Sequence, residues 1–265
     1  GLGVDTNEFF VVAANILGGC RGSTGPASTS PDGRLWESRF PAITVRDQVR
    51  AEAMLAAELG IDRWHGVIGG SAGGMRAVEW AIMFGEKVER LFLLASSAYA
   101  SAEQIAWTST QADIIRAAGP DAGLDLARRI AHTTYRSEPE LAERFGRTVQ
   151  PDGRFAVESY LQHHGGKLVK RFDAWSYVTL GDAMNSHDVG RDRGGISAAL
   201  AQVTAKTIVA AIDSDRLYPP YQQQELADEI PGCSDLDVIA SDHGHDGFLI
   251  EHEQVSVLAR RLLTN

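Results

Sequence analysis

Residues 66–80 read GVIGGSAGGMRAVEW and place five glycines around a single serine, Ser71. The apolar residues before the serine indicate a short strand, and the spacing of Met75, Val78 and Ile82 after it indicates a helix. A serine on a glycine-rich turn between a strand and a helix is typical of a catalytic nucleophile. The stretch therefore predicts a strand–turn–helix unit of an α/β sheet, with a candidate catalytic residue at the turn.

The glycines near Ser71 fit the pattern Gly-x-Ser-x-Gly, with Gly69 and Gly73 two positions away on either side. A sharp turn strains the backbone of such a serine, and a side chain at either glycine is expected to collide with the neighbouring chain. The N–H of Ala72, at the helix start, would face the oxyanion of a substrate held by Ser71. A phosphate-binding loop would need Gly-Lys-Ser/Thr, and a dinucleotide fingerprint would need glycine instead of the serine. A tight turn with an incidental serine stays open on this motif alone.

Strand and helix patterns alternate along much of the remaining chain. Thr44 and Asp47 have the form of a capping box before a helical pattern that stops at Gly60. The predicted strands are residues 8–14, 64–69, 91–96, 206–212 and 236–241, with helical patterns also at 222–230 and 253–263.

Residues 97–200 differ from this alternation, because they are helix-rich and polar. They predict an inserted helical lid, and residues 1–96 and 201–265 form the predicted core. The fold class is α/β, with a mainly parallel sheet.

Two pairs of polar residues follow the two predicted strands that come after the lid in the sequence. Asp213 and Asp215 come after one strand, and His243 and His245 come after the next. A serine nucleophile needs a histidine base oriented by a carboxylate, and α/β sheets place such groups at strand ends. One member of each pair is therefore expected to serve Ser71, and the residues alone leave both choices open. A metal site in the same histidine segment lacks a second cluster of ligands, so no metal is expected.

Composition excludes several other classes of protein. The chain of 265 residues is 44% apolar and 23% charged, which is typical of a globular domain. Its formal net charge of -10 argues against a nucleic-acid partner or an anionic membrane surface. Cys20 and Cys233 are the only cysteines, so a disulfide framework is not expected and a cytoplasmic location is the simplest interpretation. Cys20 is expected to be structural and not reactive.

Seven motifs carry a resemblance to a known family. They are NILGGCRGSTGP at 15–26, ITVRDQVRAE at 43–52, GGSAGGMRAVEW at 69–80, ARRIAHTTYRS at 127–137, SHDVGRDRGG at 186–195, SDRLYPP at 214–220 and GHDGFLIE at 244–251. In this order they resemble the homoserine O-acetyltransferases of the α/β-hydrolase superfamily, particularly actinobacterial ones. The resemblance implies acetylation of L-homoserine by acetyl-CoA, a step toward methionine, with acetyl-CoA as cosubstrate and no bound cofactor. It also implies a homodimer formed through the lid.

The resemblance implies a catalytic triad with assigned roles. Ser71 matches the nucleophile, Asp215 the orienting acid and His245 the base. Ala72 stands where methionine is usual in the family, but its backbone N–H is unchanged and keeps the oxyanion role. The implied cycle is a double displacement through an acetyl-serine intermediate, in which water competes with the amino acid as acceptor.

The resemblance also implies an acceptor site. Arg128 and Tyr135 match residues that bind the amino-acid acceptor, and Asp246 matches an aspartate that faces its ammonium group. A zwitterion suits a guanidinium for its carboxylate and a carboxylate for its ammonium. The basic segments KLVKRF and GRDRGG could contact CoA phosphates, but charged lid surface is the interpretation we favour.

Two departures from the family pattern leave alternatives open. Nothing here matches the family's N-terminal strands with their His-Ala-Leu-Thr-Gly segment, so a fragment is expected. The stretch between IIRAAG and DAGLDLARR lacks the family's usual tryptophan and tyrosine, which predicts an altered lid. L-Serine as acceptor, a succinyl donor or plain ester hydrolysis are the alternatives within the same chemistry. A catalytically silent binding subunit is the alternative outside it, and the intact serine, aspartate and histidine set argues against that.

Overall fold

The computed structural model describes residues 3–264, which form two compact units. Unit 1 contains the described residues up to 13, residues 45–100 and the residues from 187 onward. Unit 2 contains residues 14–44 and 101–186. Compared with the predicted boundaries, residues 14–44 group with the helical unit, and residues 97–100 and 187–200 group with the sheet. Whether unit 2 acts as a lid stays a prediction.

Unit 1 carries the sheet and the helices that alternate with its strands. The strands are β1 (Val67–Gly70), β2 (Arg90–Leu94), β3 (Lys206–Ile212) and β4 (Asp237–Ile239). The helices are α1 (Val45–Glu58), α2 (Ala72–Met83), α8 (Ile196–Leu200), α9 (Pro220–Glu229), α10 (Gly247–Ile250) and α11 (His252–Thr264), with short 3-10 turns at Gly85–Lys87 and Gly244–Asp246.

The four strands form one parallel sheet in the order β1-β2-β3-β4. Alternate residues of β2 enter two different cores, because successive strand side chains point to opposite faces. Leu91 and Leu93 pack with α1, α2 and α9, and Phe92 and Leu94 pack with α11. Burial on both faces explains why β2 and β3 read as continuous apolar runs in the sequence.

The predicted strand at residues 8–14 is wrong. This segment has irregular backbone, and as far as the structure describes the chain it pairs with no strand. Phe10 is 78% exposed, and Phe9 stacks on the ring of His65 with centroids 5.2 Å apart. β-branched and aromatic composition favours a strand only where a neighbouring strand supplies the ladder of hydrogen bonds.

Unit 2 is a bundle of helices joined to the irregular segment 14–44. The helices are α3 (Ala102–Ala118), α4 (Pro120–Tyr135), α5 (Glu138–Phe145), α6 (Ala156–Val169) and α7 (Ala174–Asn185), with a 3-10 turn at Glu37–Arg39. Ser101 is the N-cap residue of α3 and forms a capping box with Gln104. A Cβ on Gly123 would lie 2.4 Å from the Cα of Ile115, so glycine allows α3 and α4 to pack closely. The buried core of the bundle is Ala112, Ile115, Leu124, Ala127, Leu168, Ala174 and Val178.

A buried ion cluster in unit 1 was not foreseen from the sequence. Glu79 of α2 is 1% exposed and pairs with Arg46 at 3.1 Å and Arg193 at 2.8 Å. Arg46 also donates to the carbonyl of Asp188 at 3.0 Å. Arg193 of the GRDRGG segment is therefore neither a surface charge nor free for a phosphate. It holds the 187–195 loop against α2.

Among residues 3–264, no helix combines the length and the apolar composition needed to cross a membrane.

Candidate active site

The turn between β1 and α2 consists of Ser71 alone. Its φ of 55° and ψ of -126° lie in a region that strains any residue with a side chain. Two hydrogen bonds from the next strand hold it there: the Ser71 N–H donates to the Leu94 carbonyl (2.9 Å), and the Ser96 hydroxyl donates to the Ser71 carbonyl (2.8 Å). The strained conformation is thus fixed by packing of the turn against the end of β2.

The glycines around the serine differ in whether a side chain would fit at their positions. A Cβ on Gly69 would lie 2.1 Å from the Gly73 carbonyl oxygen, and one on Gly70 would lie 2.8 Å from the Phe248 ring. The collision predicted at Gly73 is wrong, because a Cβ there would meet only the Arg76 side chain at 3.8 Å. Gly73 already lies in the first turn of α2, where alanine is an ordinary residue.

The structure brings Ser71, His245 and Asp215 into one hydrogen-bonded chain. The Nδ1–H of His245 donates to Asp215 Oδ2 (2.6 Å), so Nε2 can accept from the Ser71 hydroxyl (2.8 Å). The second carboxylate oxygen of Asp215 accepts from the N–H groups of Leu217 (2.8 Å) and Tyr218 (2.9 Å). His245 and Asp215 are 4% and 3% exposed. This arrangement can deprotonate the serine and stabilise the imidazolium that forms.

Two aromatic rings fix the orientation of the His245 imidazole. Tyr218 stacks on it with centroids 5.0 Å apart and an angle of 27°, and Phe248 meets it edge-on at 5.3 Å. The electron-rich face of Tyr218 favours a positive charge on the imidazole. Sequence reasoning missed both rings, although they lie within the motifs SDRLYPP and GHDGFLIE.

The alternative triad candidates, Asp213 and His243, lie in loops tied together by hydrogen bonds. Asp213 Oδ1 accepts from the Ser241 N–H (2.9 Å), and the His243 N–H donates to the Ser241 hydroxyl (3.2 Å). The hydroxyl of Ser214 donates to the Ser241 carbonyl and accepts from the Gly244 N–H (3.0 Å). These bonds join the loop that carries the acid to the loop that carries the base.

The remaining predicted residues of unit 1 lie close to the triad in sequence. Ala72 is the first residue of α2, so its N–H has no acceptor within the helix and can meet a developing oxyanion. Asp246 follows His245 at the end of a 3-10 turn and is half-buried.

Arg128 and Tyr135 lie on one face of α4 in unit 2. The guanidinium carbon of Arg128 is 5.2 Å from the centre of the Tyr135 ring. Arg128 is half-buried, and none of the ion pairs found between residues 3 and 264 involves it. A partly desolvated guanidinium without a carboxylate is suited to bind an anionic ligand.

Histidine residues next to Arg128 were not foreseen as a group. His132 is 2% exposed, and its ring contacts that of His164 with centroids 4.2 Å apart and an angle of 40°. The Tyr160 hydroxyl lies 3.3 Å from His132 Nδ1. Burial, then the charge of Arg128, lowers the pKa of His132 to about 3, and burial lowers the pKa of His164 to about 4. Both imidazoles are therefore neutral near pH 7. No group of side chains suited to a metal occurs in the described part of the chain.

Comparisons with known proteins agree on one family. A family model described as the alpha/beta hydrolase fold matches residues 3–251. The chain is 58% identical to the homoserine O-acetyltransferase of Thermobifida fusca (strain YX), covering 99% of this chain and 75% of that protein.

Two solved structures are also similar. The homoserine O-acetyltransferase of Staphylococcus aureus is 30% identical with a TM-score of 0.78, and the match covers 93% of this chain and 71% of that one. An acetylester hydrolase from Corynebacterium glutamicum is 26% identical with a TM-score of 0.81, covering 92% of this chain and 73% of that one. By its identity to the Thermobifida fusca protein over nearly its whole length, the chain belongs to the homoserine O-acetyltransferases, a family of acyltransferase enzymes with the α/β-hydrolase fold.

Proposed function

We propose that this chain transfers an acetyl group from acetyl-CoA to the side-chain hydroxyl of L-homoserine, a step toward methionine. The observation that carries the proposal is the hydrogen-bonded chain Ser71–His245–Asp215 at a strained strand-to-helix turn. The name of the Thermobifida fusca relative supports homoserine as the acceptor.

The proposed cycle has two displacements. His245 Nε2 takes the hydroxyl proton of Ser71 while Oγ attacks the thioester carbonyl, and the Ala72 N–H stabilises the oxyanion. The C–S bond breaks, and the imidazolium returns its proton to the departing thiolate. His245 then takes the proton of the homoserine hydroxyl, which attacks the acetyl-serine. O-Acetylhomoserine leaves, and Ser71 regains its proton from His245.

The acceptor is proposed to bind through its two charges. Arg128, with Tyr135, would bind the carboxylate, and Asp246 would bind the ammonium group. The half-buried, unpaired guanidinium of Arg128 supports this role, because burial without a counterion is unfavourable until an anion binds.

The proposal is tested by thiol release from acetyl-CoA, measured with L-homoserine, with L-serine and without acceptor. We expect release that rises with homoserine in the parent chain. Ser71→Ala should lower it by about 10⁴-fold or more, since the triad acts as a unit. A fluorophosphonate probe should label the parent chain and not Ser71→Ala.

Each other outcome identifies a competing function. Release that does not depend on any acceptor would mean hydrolysis, the activity named for the Corynebacterium glutamicum neighbour. Preference for serine or for succinyl-CoA would change the substrate and keep the chemistry. Homoserine and serine differ by one methylene, and an enzyme distinguishes such a pair by only about 1 to 3 kcal/mol. No labelling and no release would indicate a silent binding subunit.

Arg128 gives a second, sharper test of the acceptor site. We expect Arg128→Ala to raise the KM for homoserine by about 10- to 100-fold, the loss typical of a hydrogen bond to a charged group. Acylation by acetyl-CoA should be unchanged. The matched control is Arg129→Ala, because Arg129 pairs with Asp125 on the same helix. Equal effects of the two substitutions would contradict an acceptor role for Arg128.

The remaining features of the proposal concern assembly and location. A homodimer is proposed on the resemblance alone, and light scattering of the purified chain tests it. Cys20 and Cys233 are both free thiols, which is compatible with the proposed cytoplasmic location.

A further inference from the structure

A polar network in unit 2 links three helices and ends at Tyr135. Tyr177 of α7 donates its hydroxyl proton to the side-chain carbonyl of Gln111 on α3, at 2.5 Å. Tyr135 of α4 is a second polar neighbour of the same hydroxyl. One phenol therefore ties a residue of the proposed acceptor site to two other helices of the bundle.

The network is partly shielded from water, because Gln111 is buried and both Tyr135 and Tyr177 are half-buried. Gln111 is 6% exposed, and its carbonyl has the Tyr177 hydroxyl as partner. Burial raises the pKa of Tyr177 well above its usual range, so the phenol keeps its proton at neutral pH. A partly buried hydrogen bond of this kind is stronger than a fully exposed one, and its loss removes the Tyr177 partner of the Gln111 carbonyl.

Tyr135 needs such an anchor because of its place in α4. It is the last residue of the helix, and Arg136 already has an extended backbone. Helix ends fray, so the helix alone does not hold the Tyr135 ring in one position. The ring in turn supports Arg128, whose guanidinium carbon lies 5.2 Å from its centre.

We infer that Tyr177, held by Gln111, is a positioning residue for the acceptor. It keeps Tyr135 in place, and through that ring it keeps the guanidinium of Arg128 oriented for a carboxylate. This inference rests on the proposed function, in which Arg128 and Tyr135 bind the amino acid. Tyr177 itself is assigned no contact with the substrate.

The test is Tyr177→Phe in the full chain, which removes one hydroxyl and keeps the ring. We expect the KM for homoserine to rise by about 5- to 30-fold, the range for one lost hydrogen bond that is shielded from water. The kcat at saturating homoserine should change by less than about threefold, because the reacting groups are untouched. Acylation by acetyl-CoA, followed as the burst of thiol without acceptor, should be unchanged.

Tyr160→Phe is the matched control. It also removes a tyrosine hydroxyl that is hydrogen-bonded within the bundle, but the partner is His132 at 3.3 Å. A similar fall in Tm with an unchanged KM for homoserine is the expected result. If both substitutions raise that KM equally, the effect is general loosening of the bundle, and the positioning role of Tyr177 is overturned.

Two further variants keep the inference falsifiable. If Tyr177→Phe does not fold, Gln111→Met tests the same anchor from its other end and should raise the same KM. In a Tyr135→Phe background, Tyr177→Phe should add little, because the two hydroxyls are expected to act through their contact with each other. Fully additive effects would overturn the inference.

Thiol release by the parent chain distinguishes failure of this inference from failure of the proposed function. Thiol release that does not respond to homoserine in the parent would overturn the proposed function. Homoserine-dependent release in the parent, with an unaltered KM in folded Tyr177→Phe, would overturn the positioning role alone.

Discussion

Ser71 combines the proposed chemistry with a backbone conformation that suits glycine. Its φ of 55° is a strain that costs roughly 1 to 3 kcal/mol in a residue with a side chain. Sharp geometry at the turn exposes Oγ beyond the strand end, so the strain is the condition for an accessible nucleophile. Stability and activity are therefore expected to oppose each other at this one position.

We predict that Ser71→Gly is more stable than Ser71→Ala. Both substitutions remove the hydroxyl and its bond to His245, but only glycine relieves the strain. After the cost of glycine's greater freedom in the unfolded chain, the gain should be about 1 kcal/mol. Thermal unfolding should show it as a Tm about 2 to 4 °C higher. Equal Tm values for the two variants would mean that the strain at the turn is no larger than the entropic cost of glycine, which would contradict the prediction.

The candidate site could be predicted from the sequence only where a residue type carries a chemical role by itself. Ser71 and the two later polar pairs were readable because nucleophile, acid and base follow strands in a fixed order. The choice of Asp215 and His245 over their neighbours came from the resemblance. Tyr218 stacks on an imidazole 27 residues away in the chain, and no local pattern reports such a contact.

Among the secondary-structure elements, composition also predicted some strands correctly and one wrongly. β3 was predicted with its observed bounds, Lys206–Ile212, because a strand buried on both faces is apolar throughout. Residues 8–14 have a similar apolar composition, but within residues 3–264 no strand pairs with them, and composition cannot report a missing hydrogen-bond partner. The irregular segment 14–44 was assigned to the core because it lies between core-like patterns, whereas its contacts are with the helices of unit 2.

The glycine-rich turn shows how packing, and not the motif, decides each position. Gly69 faces the Gly73 carbonyl across the turn, while Gly73 faces little beyond the flexible Arg76 side chain. The pattern Gly-x-Ser-x-Gly treats the two glycines alike. The path of α2 away from β1 decides that a side chain would collide at Gly69 and would fit at Gly73.

At the scale of the whole molecule, net charge says little about the interior. The chain carries a formal charge of -10, yet two half-buried cations, Arg46 and Arg193, surround the buried Glu79. Three histidines, His132, His164 and His187, are held neutral, chiefly by burial. Both units therefore contain groups whose protonation would oppose the folded state.

His187 gives the clearest case, because it is 4% exposed and donates through Nε2 to the Ser97 carbonyl at 3.2 Å. Burial lowers its pKa to about 4, although Glu79 and Asp188 favour the charged form and Arg46 opposes it. An unfolded histidine has a pKa of about 6.5, so between pH 6.5 and about 4 only the unfolded chain takes up this proton. Stability is therefore full above pH 6.5 and is lost as the pH falls.

We predict that the Tm of the chain falls steeply from pH 6.5 to 4.5, and that His187→Gln makes this fall shallower. Each buried histidine should contribute about 1.4 kcal/mol per pH unit within its window. Glutamine keeps an N–H donor for the Ser97 carbonyl but cannot take up the proton. The control is His252→Gln, because His252 is exposed. A pH slope that is unchanged in His187→Gln, or equally reduced in His252→Gln, would show that acid sensitivity arises elsewhere in the molecule.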